Sequence, residues 1–115
     1  MALPETEHQR AEELLGIFCK DKMASFKDHD TLEIGYSIKG NKVTLTESRP
    51  LFIDPGVWNE IKVAQFEYSP EMNNWTLYWY DRKNRRQPYP VARNKDTLEK
   101  LILEVDKDPT GIFWE

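Results

Sequence analysis

The sequence predicts an α+β domain: an antiparallel meander of four to five strands, with an N-terminal and a C-terminal helix packed on one face of the sheet. Two observations carry this prediction. Segments in which apolar and polar residues alternate are separated by turn residues, which is typical of antiparallel strands with one covered face. Apolar residues spaced three and four apart occur near each end of the chain, which is typical of amphipathic helices.

Length and composition favour a single domain over residues 1–115. A chain of 115 residues lies near the commonest domain size, and dividing it would leave two undersized cores. Cys19 is the only cysteine, so no intrachain disulfide can form. The first ten residues lack the basic and apolar segments of a signal peptide, and no apolar run approaches the roughly 20 residues that span a bilayer. We therefore expect a cytoplasmic protein without a membrane partner.

The first helix is predicted to begin at Pro4 or Thr6 and to run for about 18 residues. Thr6 and Gln9 have the spacing of a capping box. An apolar stripe at helical spacing follows, formed by Ala11, Leu14, Leu15 and Phe18. Packing of this stripe on a sheet is the favoured interpretation, and a partner-binding helix is the alternative.

Two hairpins follow. Gly40 and Asn41 form a two-residue loop of the type II′ kind. This loop pairs the strands as Ile38 with Val43 and Tyr36 with Leu45 on an apolar face, and as Ser37 with Thr44 and Gly35 with Thr46 on a small, polar face. The segment 54–56, with its central proline, predicts a type II turn. The third strand is predicted over residues 61–68 and the fourth over residues 75–81.

The register of the second hairpin follows from its apolar residues. A buried face results if the pairs are Tyr68 with Trp75, Phe66 with Leu77 and Ala64 with Trp79. The opposite face then carries Glu67 beside Thr76, Gln65 beside Tyr78 and Val63 beside Tyr80. We therefore expect both helices to cover the face lined by Tyr36, Leu45, Phe66, Trp75, Leu77 and Trp79.

The last third of the chain predicts a short strand, a helix and a docked tail. Arg86, Gln87 and Tyr89 form an edge strand because Pro88 and Pro90 cannot donate to a ladder, and Tyr89 is expected near Tyr78. The second helix is predicted to begin at Asn94 or Asp96, with the stripe Leu98, Leu101, Ile102 and Val105. Residues 108–111 match a type I turn, and the apolar residues 112–114 are expected to dock on the core.

Four segments resemble a small bacterial family, a "domain of unknown function" family with the number 3024. They are IKGNKVTL at residues 38–45, residues 58–68, WTLYWYDR at residues 75–82 and LEVDKDPTGIFW at residues 103–114. The resemblance covers nearly the whole chain and implies a stand-alone bacterial protein of this size. It says nothing about activity, substrate or catalytic residues. The chain departs from the family pattern over residues 83–88, where the family has Asn-Gly followed by an aromatic residue.

Recognisable catalytic or metal-binding patterns are missing from the sequence, so no catalytic residue, cofactor or metal ligand is predicted. His8 and His29 have no second ligand at useful spacing, and Cys19 lies late in its helix, where the dipole opposes a thiolate. The glycines are isolated, so a phosphate-binding loop is not indicated. Asp106 and Asp108 form a possible carboxylate pair, but the favoured interpretation gives Asp108 the first position of the turn and Asp106 a solvated helix end.

One candidate binding surface emerges, on the sheet face away from the helices and at the adjoining hairpin tip. Its residues are Tyr78, Tyr80, Tyr89, Arg82, Arg85 and Arg86. The surrounding segment 81–95 has a net charge of +5, although the whole chain has a net charge of −4. Tyrosine and arginine are enriched in protein interfaces, and aromatic rings beside arginines can also stack on nucleic-acid bases.

Three function classes therefore stay open. The favoured hypothesis is a non-catalytic interaction module that uses this surface to bind a protein or a second copy of itself. The alternative is a weak nucleic-acid-binding domain that uses the same residues. The negative net charge of the chain argues against this alternative. An enzyme that lacks any recognisable motif is the third. Tyrosines that merely suit strands, beside a solvated basic turn, are the non-functional interpretation.

Overall fold

A computed structural model describes residues 2–25, 32–51, 53–54, 56–90 and 94–114. Two helices flank a run of strands in the chain. In order, the elements are α1 (Glu5–Ser25), β1 (Glu33–Lys39), β2 (Lys42–Pro50), β3 (Trp58–Ser69), β4 (Asn74–Tyr80), β5 (Arg86–Pro88), β6 (Lys95–Asp96) and α2 (Leu98–Lys107). The strands form one antiparallel sheet in the order β1-β2-β3-β4-β5, and β6 also pairs with β4. The predicted α+β meander with two terminal helices is confirmed.

The β1–β2 hairpin has the predicted register. Ile38 pairs with Val43 and Tyr36 with Leu45, while Ser37 pairs with Thr44 on the other face. Gly40 has φ 61°, and Asn41 is not among the residues of positive φ. A positive φ at the first loop position alone is the signature of the type II′ turn, which only glycine adopts without strain at that position.

The β3–β4 register is also confirmed, but the predicted placement of Val63 is wrong. Tyr68 pairs with Trp75 and Ala64 with Trp79, as the apolar pattern required. The β2–β3 pairing, however, shifts by one residue after the pair of Leu45 and Ala64, because Val63 is an extra residue in a β-bulge. The bulge lets two consecutive residues of β3, Val63 and Ala64, both be buried. Lys62 therefore takes the place beside Tyr80 that was predicted for Val63.

The prediction that Tyr89 lies on the open face is wrong. Pro88, rather than Tyr89, pairs with Tyr78, and the amide of Tyr89 donates to the carbonyl of Leu77. A slip of one residue turns every side chain of a strand to the opposite face. The Tyr89 ring is consequently 1% exposed and lies within the core.

Helix boundaries differ modestly from the predictions. α1 has 21 residues rather than about 18. α2 begins later than predicted, with Thr97 as its N-cap, whose hydroxyl oxygen accepts from the amide of Lys100. Asn94 and Asp96 are not caps because this segment instead extends the sheet: Asp96 pairs with Trp75, and the Asn94 carbonyl accepts from the amide of Leu77.

The core lies between the two helices and one face of the sheet, which we call the inner face. α1 packs on β1, and α2 packs on β3 and β4. The most fully buried side chains of the core are Leu15, Val43, Leu45, Phe66, Leu77, Tyr89, Leu98, Leu101 and Val105. Tyr36 and Trp79, predicted for the same face, are only partly buried at its margins. The opposite, uncovered side of the sheet is called the open face.

The tail after α2 docks on the core, as predicted. Phe113 is buried, and the indole nitrogen of Trp114 donates to the Val105 carbonyl over 2.8 Å. The Gly111 amide donates to the Asp108 carbonyl, which closes the predicted turn. None of the described helices combines the length and the apolar character needed to cross a membrane.

Candidate functional site

Two tyrosines of the predicted surface do lie on the open face, but cations of the same chain cover their rings. The Arg86 guanidinium lies 3.9 Å from the ring centre of Tyr78. The Lys62 ammonium lies 5.5 Å from the ring centre of Tyr80. Both distances are within the range of a cation–π interaction. These rings therefore have less surface to offer an incoming base or side chain than the sequence predicts.

Arg86 is further held by polar neighbours on β3. Its Nη1 donates to Gln65 Oε1 over 2.8 Å and to Glu67 Oε1 over 2.7 Å. The charge of Arg86 is thus balanced within the sheet, by a carboxylate whose side chain is 30% exposed. An incoming phosphate would have to compete with Glu67 for this guanidinium.

The hairpin tip is organised around the carboxylate of Asp81. Its Oδ1 accepts from the amides of Lys83 and Arg85, each over 2.9 Å. Its Oδ2 accepts from Arg85 Nε over 3.0 Å and from Gln87 Nε2 over 3.2 Å. Arg85 is therefore engaged as well. Arg82 is exposed and forms no ion pair with any described residue, so it is the arginine of the predicted set most available to a partner.

The hydrogen bonds to Asp81 give the tip a pH dependence. They hold the pKa of this carboxyl below its ordinary value, with the backbone bond from Arg85 as the largest cause. A depressed pKa in the folded state means that the stabilisation is present above the ordinary pKa and is lost as the pH falls through the lowered one. We expect the amide resonances of Lys83 and Arg85 to titrate together at a pH below 3.8. Titration of either amide at or above that pH would contradict this arrangement.

The remaining ionisable candidates, Asp106, Asp108 and Cys19, have structural roles. The Asp108 carboxylate accepts from the amides of Phe113 and Trp114, and Asp106 accepts from Lys22 Nζ over 3.2 Å. Burial raises the pKa of the Cys19 thiol to about 11, so the sulfur is protonated at neutral pH and is a poor nucleophile.

His8, the histidine that the structure describes, adds no recognised site. His8 Nδ1 lies 2.8 Å from Glu12 Oε1 one turn further along α1, where both side chains are largely exposed. His29 lies outside the described residues. Within the ranges that the structure describes, His, Cys, Asp and Glu side chains form no cluster of three or more that could hold a metal ion.

The structure reveals an apolar surface that the sequence analysis missed. The paired ends of β2 and β3, residues 47–50 and 58–61, together with the described residues 51, 53, 54, 56 and 57 between them, are called the arm. Along its inner face, Leu51, Val57 and Ile61 are 41%, 47% and 49% exposed. Val43 and Leu45, on the same face of β2 nearer the helices, are fully buried. The layer that covers the inner face therefore stops before the arm.

A cleft of about 370 Å³ lies where the arm leaves the body of the domain. Its walls come from β2, β3, β4, the hairpin tip and the C-terminal tail. The lining residues include Glu47, Ile61, Val63, Trp79, Arg82 and Ile112. The cleft thus contains one exposed apolar residue of the arm, Ile61, and one arginine of the predicted tip, Arg82.

Glu47 is the notable polar group of this cleft. It is 5% exposed and the only buried charged residue of the described chain. Its Oε1 accepts from Arg49 Nε over 2.5 Å, while the Arg49 side chain is 58% exposed. A buried carboxylate needs such a partner to offset its lost hydration. The sequence held a signal for this site, since Glu47 and Arg49 continue the apolar alternation of Val43 and Leu45 with charged residues.

Comparison with known proteins gives a family but no further relative. No match was found among curated proteins or among solved structures. The model of a family described as "Domain of unknown function (DUF3024)" matches residues 3–115, essentially the whole chain. The resemblance in residues 38–45, 58–68, 75–82 and 103–114 therefore reflects common membership, and the chain belongs to the DUF3024 family.

Proposed function

We propose that this chain is a non-catalytic interaction module, and that it binds a protein partner through the arm and the cleft at its base. The observation that carries the proposal is the exposed apolar inner face of the arm. A small protein rarely leaves several large apolar side chains together in water unless they serve an interface. Leu51, Val57 and Ile61 lie on the inner face, where Val43 and Leu45, nearer the helices, belong to the core.

The cleft supplies the other components of an interface. Trp79 and Ile112 provide apolar walls for an inserted side chain, and Arg82 lies at the rim. Aromatic residues and arginine contribute a disproportionate share of binding energy in protein complexes. The buried Glu47 carboxylate offers an acceptor for a donor group of the partner, because Arg49 engages only one of its oxygens in the described contacts.

This proposal retains part of the surface predicted from the sequence and shifts its centre. Tyr80 and Arg82 line the cleft. Tyr78 and Arg86, by contrast, form a cation–π contact with each other, and Tyr89 is buried. The same contacts weaken the support for nucleic-acid binding, because Arg85 and Arg86 are paired with carboxylates of their own chain. Gel-shift titrations at two salt concentrations address that alternative, since phosphate binding weakens steeply with salt.

The experiment places a photo-crosslinking amino acid at position 57 in the cell. We expect a discrete protein adduct from this position and none from position 72, an exposed site in the β3–β4 turn. Ile61→Ser should reduce the adduct about fivefold or more, because it removes an apolar contact from the interface centre. Met72→Ser is the matched control and should leave the yield unchanged.

The outcomes of this experiment separate the alternatives. Equal crosslinking from positions 57 and 72, or an adduct that survives Ile61→Ser unchanged, would count against the arm as the binding surface. An adduct that disappears after nuclease treatment would point to nucleic acid instead. Ile61→Ser should leave the thermal midpoint nearly unchanged because the side chain is 49% exposed, so a lost adduct would not reflect unfolding.

We further propose that the protein acts in the bacterial cytoplasm. A bacterial origin is what the resemblance of the sequence implies, and the lone, buried Cys19 suits a reducing compartment.

A further inference from the structure

The two edges of the sheet differ in whether they can pair with a further strand. The side of β4 that does not face β3 is paired along its length. Trp79 pairs with Gln87, and Trp75 pairs with Asp96. Between them, the backbone of Leu77 forms hydrogen bonds with Asn94 and Tyr89. The strand that ends this side, β5, has three residues and contains Pro88. Short, proline-containing edge strands are a device that prevents further pairing.

β1 forms the other edge and carries no such protection. It has seven residues and contains no proline, and among the described residues it pairs on one side only, with β2. In a hairpin with a two-residue loop, the residues that flank the loop form a hydrogen-bonded pair. Lys39 and Lys42 are that pair, so alternate residues of β1 bond to β2. The amides and carbonyls of Ile34, Tyr36 and Ile38 therefore point away from β2, and outside the strand ladder they form no backbone hydrogen bond among the described residues.

We propose that β1 pairs with β1 of a second copy of this chain, antiparallel and about a two-fold axis at Tyr36. In this register Ile34 of one copy lies opposite Ile38 of the other, and Tyr36 lies opposite itself. All three outward-pointing residues then exchange backbone hydrogen bonds across the axis. The two sheets join into one, with both pairs of helices on the same side. This inference is independent of the arm and of the proposed function.

The charges at the ends of β1 select this register. Glu33 of one copy lies opposite Lys39 of the other, and the two-fold axis repeats the pair. Both residues are exposed, and neither forms an ion pair among the described residues. Within one chain Lys39 lies opposite Lys42, a juxtaposition of like charges. Cross-strand pairs of opposite charge stabilise antiparallel strands, whereas like charges destabilise them.

The side chains between these ends are compatible with the pairing. Gly35 of one copy faces Ser37 of the other on the open face, where both are small. Ile34 and Ile38 meet on the inner face, where Ile38 and Tyr36 are only partly buried in the single chain. The pairing therefore adds apolar contacts at the point where the core reaches the edge of the sheet.

Sedimentation equilibrium over about 5–500 µM tests the proposal on the full chain, since strand pairing of this size gives weak dimers. We expect a concentration-dependent dimer. Glu33→Lys and Lys39→Glu should each weaken it about tenfold, because each single change turns two attractive pairs into two repulsive ones. The double variant E33K/K39E should restore the affinity to within about threefold. Glu71→Lys and Lys83→Glu, which change the same charges away from β1, are the controls and should have little effect.

Amide hydrogen exchange reports on the register directly. Amides of Ile34, Tyr36 and Ile38 should become protected as the protein concentration rises, whereas those of Gly35 and Ser37, which bond to β2, should be protected throughout. A monomer over the whole concentration range would overturn the proposal. So would a dimer that responds equally to the control variants, or one whose formation leaves the three outward amides unprotected.

Discussion

Tyr89→Ala is expected to lower the free energy of unfolding by about 3–5 kcal/mol, the range for removing a buried aromatic ring. The Tyr89 side chain is 1% exposed, and its ring centre lies 5.3 Å from that of Phe113. Its hydroxyl donates to Glu104 Oε2 over 2.7 Å, which joins the β5 segment to α2. Truncation would leave a cavity between the sheet, α2 and the tail, and would remove the donor from Glu104.

Two further variants resolve the two contributions. Tyr89→Phe keeps the ring and loses the hydrogen bond, so it should cost about 1–2 kcal/mol. Tyr78→Ala removes a ring from the open face and should cost less than about 1.5 kcal/mol, since only the contact with Arg86 and part of its area are lost. Urea unfolding measures all three. Equal costs for Tyr78→Ala and Tyr89→Ala would contradict the pairing of Tyr78 with Pro88, which places Tyr89 in the core.

The pKa of Tyr89 is affected by the same surroundings. Burial, followed by the hydrogen bond to Glu104 and the charge of that carboxylate, raises it to about 12. The phenol therefore stays protonated and continues to donate throughout the physiological range. Tyr89 was predicted to belong to a binding surface, yet its physical role is to tie the edge segment to the core.

Local patterns were sufficient to predict most of this fold. The loop at Gly40 fixes the β1–β2 register, because a two-residue loop leaves one way to pair the strands. The β3–β4 register follows from the requirement that Phe66 and Leu77 share one face. In each hairpin, the residues that fix the register lie within the same short stretch of chain as the strands they pair. Contacts with distant parts of the chain were therefore not needed for these predictions.

Features that depend on distant contacts escaped the sequence analysis. The bulge at Val63 arises where β3 pairs with β2 on one side and with β4 on the other. The slip at Tyr89 reflects a preference for burying its ring against Phe113, which is far away in the chain. Alternation alone assigned both residues to the wrong face, because period-two patterns assume an uninterrupted ladder.

The candidate site was predicted less well than the fold for a related reason. Exposure of Ile61 depends on where the helices end above the sheet, and helix length does not reveal this. An apolar residue in a strand indicates a core position on average, so the strand pattern alone does not mark Ile61 as exposed. Glu47 and Arg49, the charged residues that continue the apolar alternation of β2, mark the boundary in the sequence.

Asp108→Ala is expected to cost about 2–4 kcal/mol, because two hydrogen bonds to a charged acceptor are lost together. Asp108 ends α2 in the left-handed region, with φ 44° and ψ 58°. Its Oδ1 accepts from the Phe113 amide over 3.2 Å and its Oδ2 from the Trp114 amide over 3.0 Å. Asp108 thus adopts the left-handed conformation that ends α2, and its carboxylate holds the tail against the core. Alanine has neither property, since its side chain accepts no hydrogen bond and disfavours this conformation.

The neighbouring carboxylate provides the matched control for this prediction. Asp106 is exposed and forms an ion pair with Lys22, so Asp106→Ala should cost less than about 1 kcal/mol. Asp108→Asn keeps one acceptor and the tolerance for positive φ, so its cost should fall between those of the two alanine variants. Chemical unfolding gives the free energies, and the Trp114 indole N–H resonance reports whether the tail has left the Val105 carbonyl. If Asp108→Ala proved no more costly than Asp106→Ala, the carboxylate would not be what anchors the tail, and a purely apolar docking through Phe113 would replace this account.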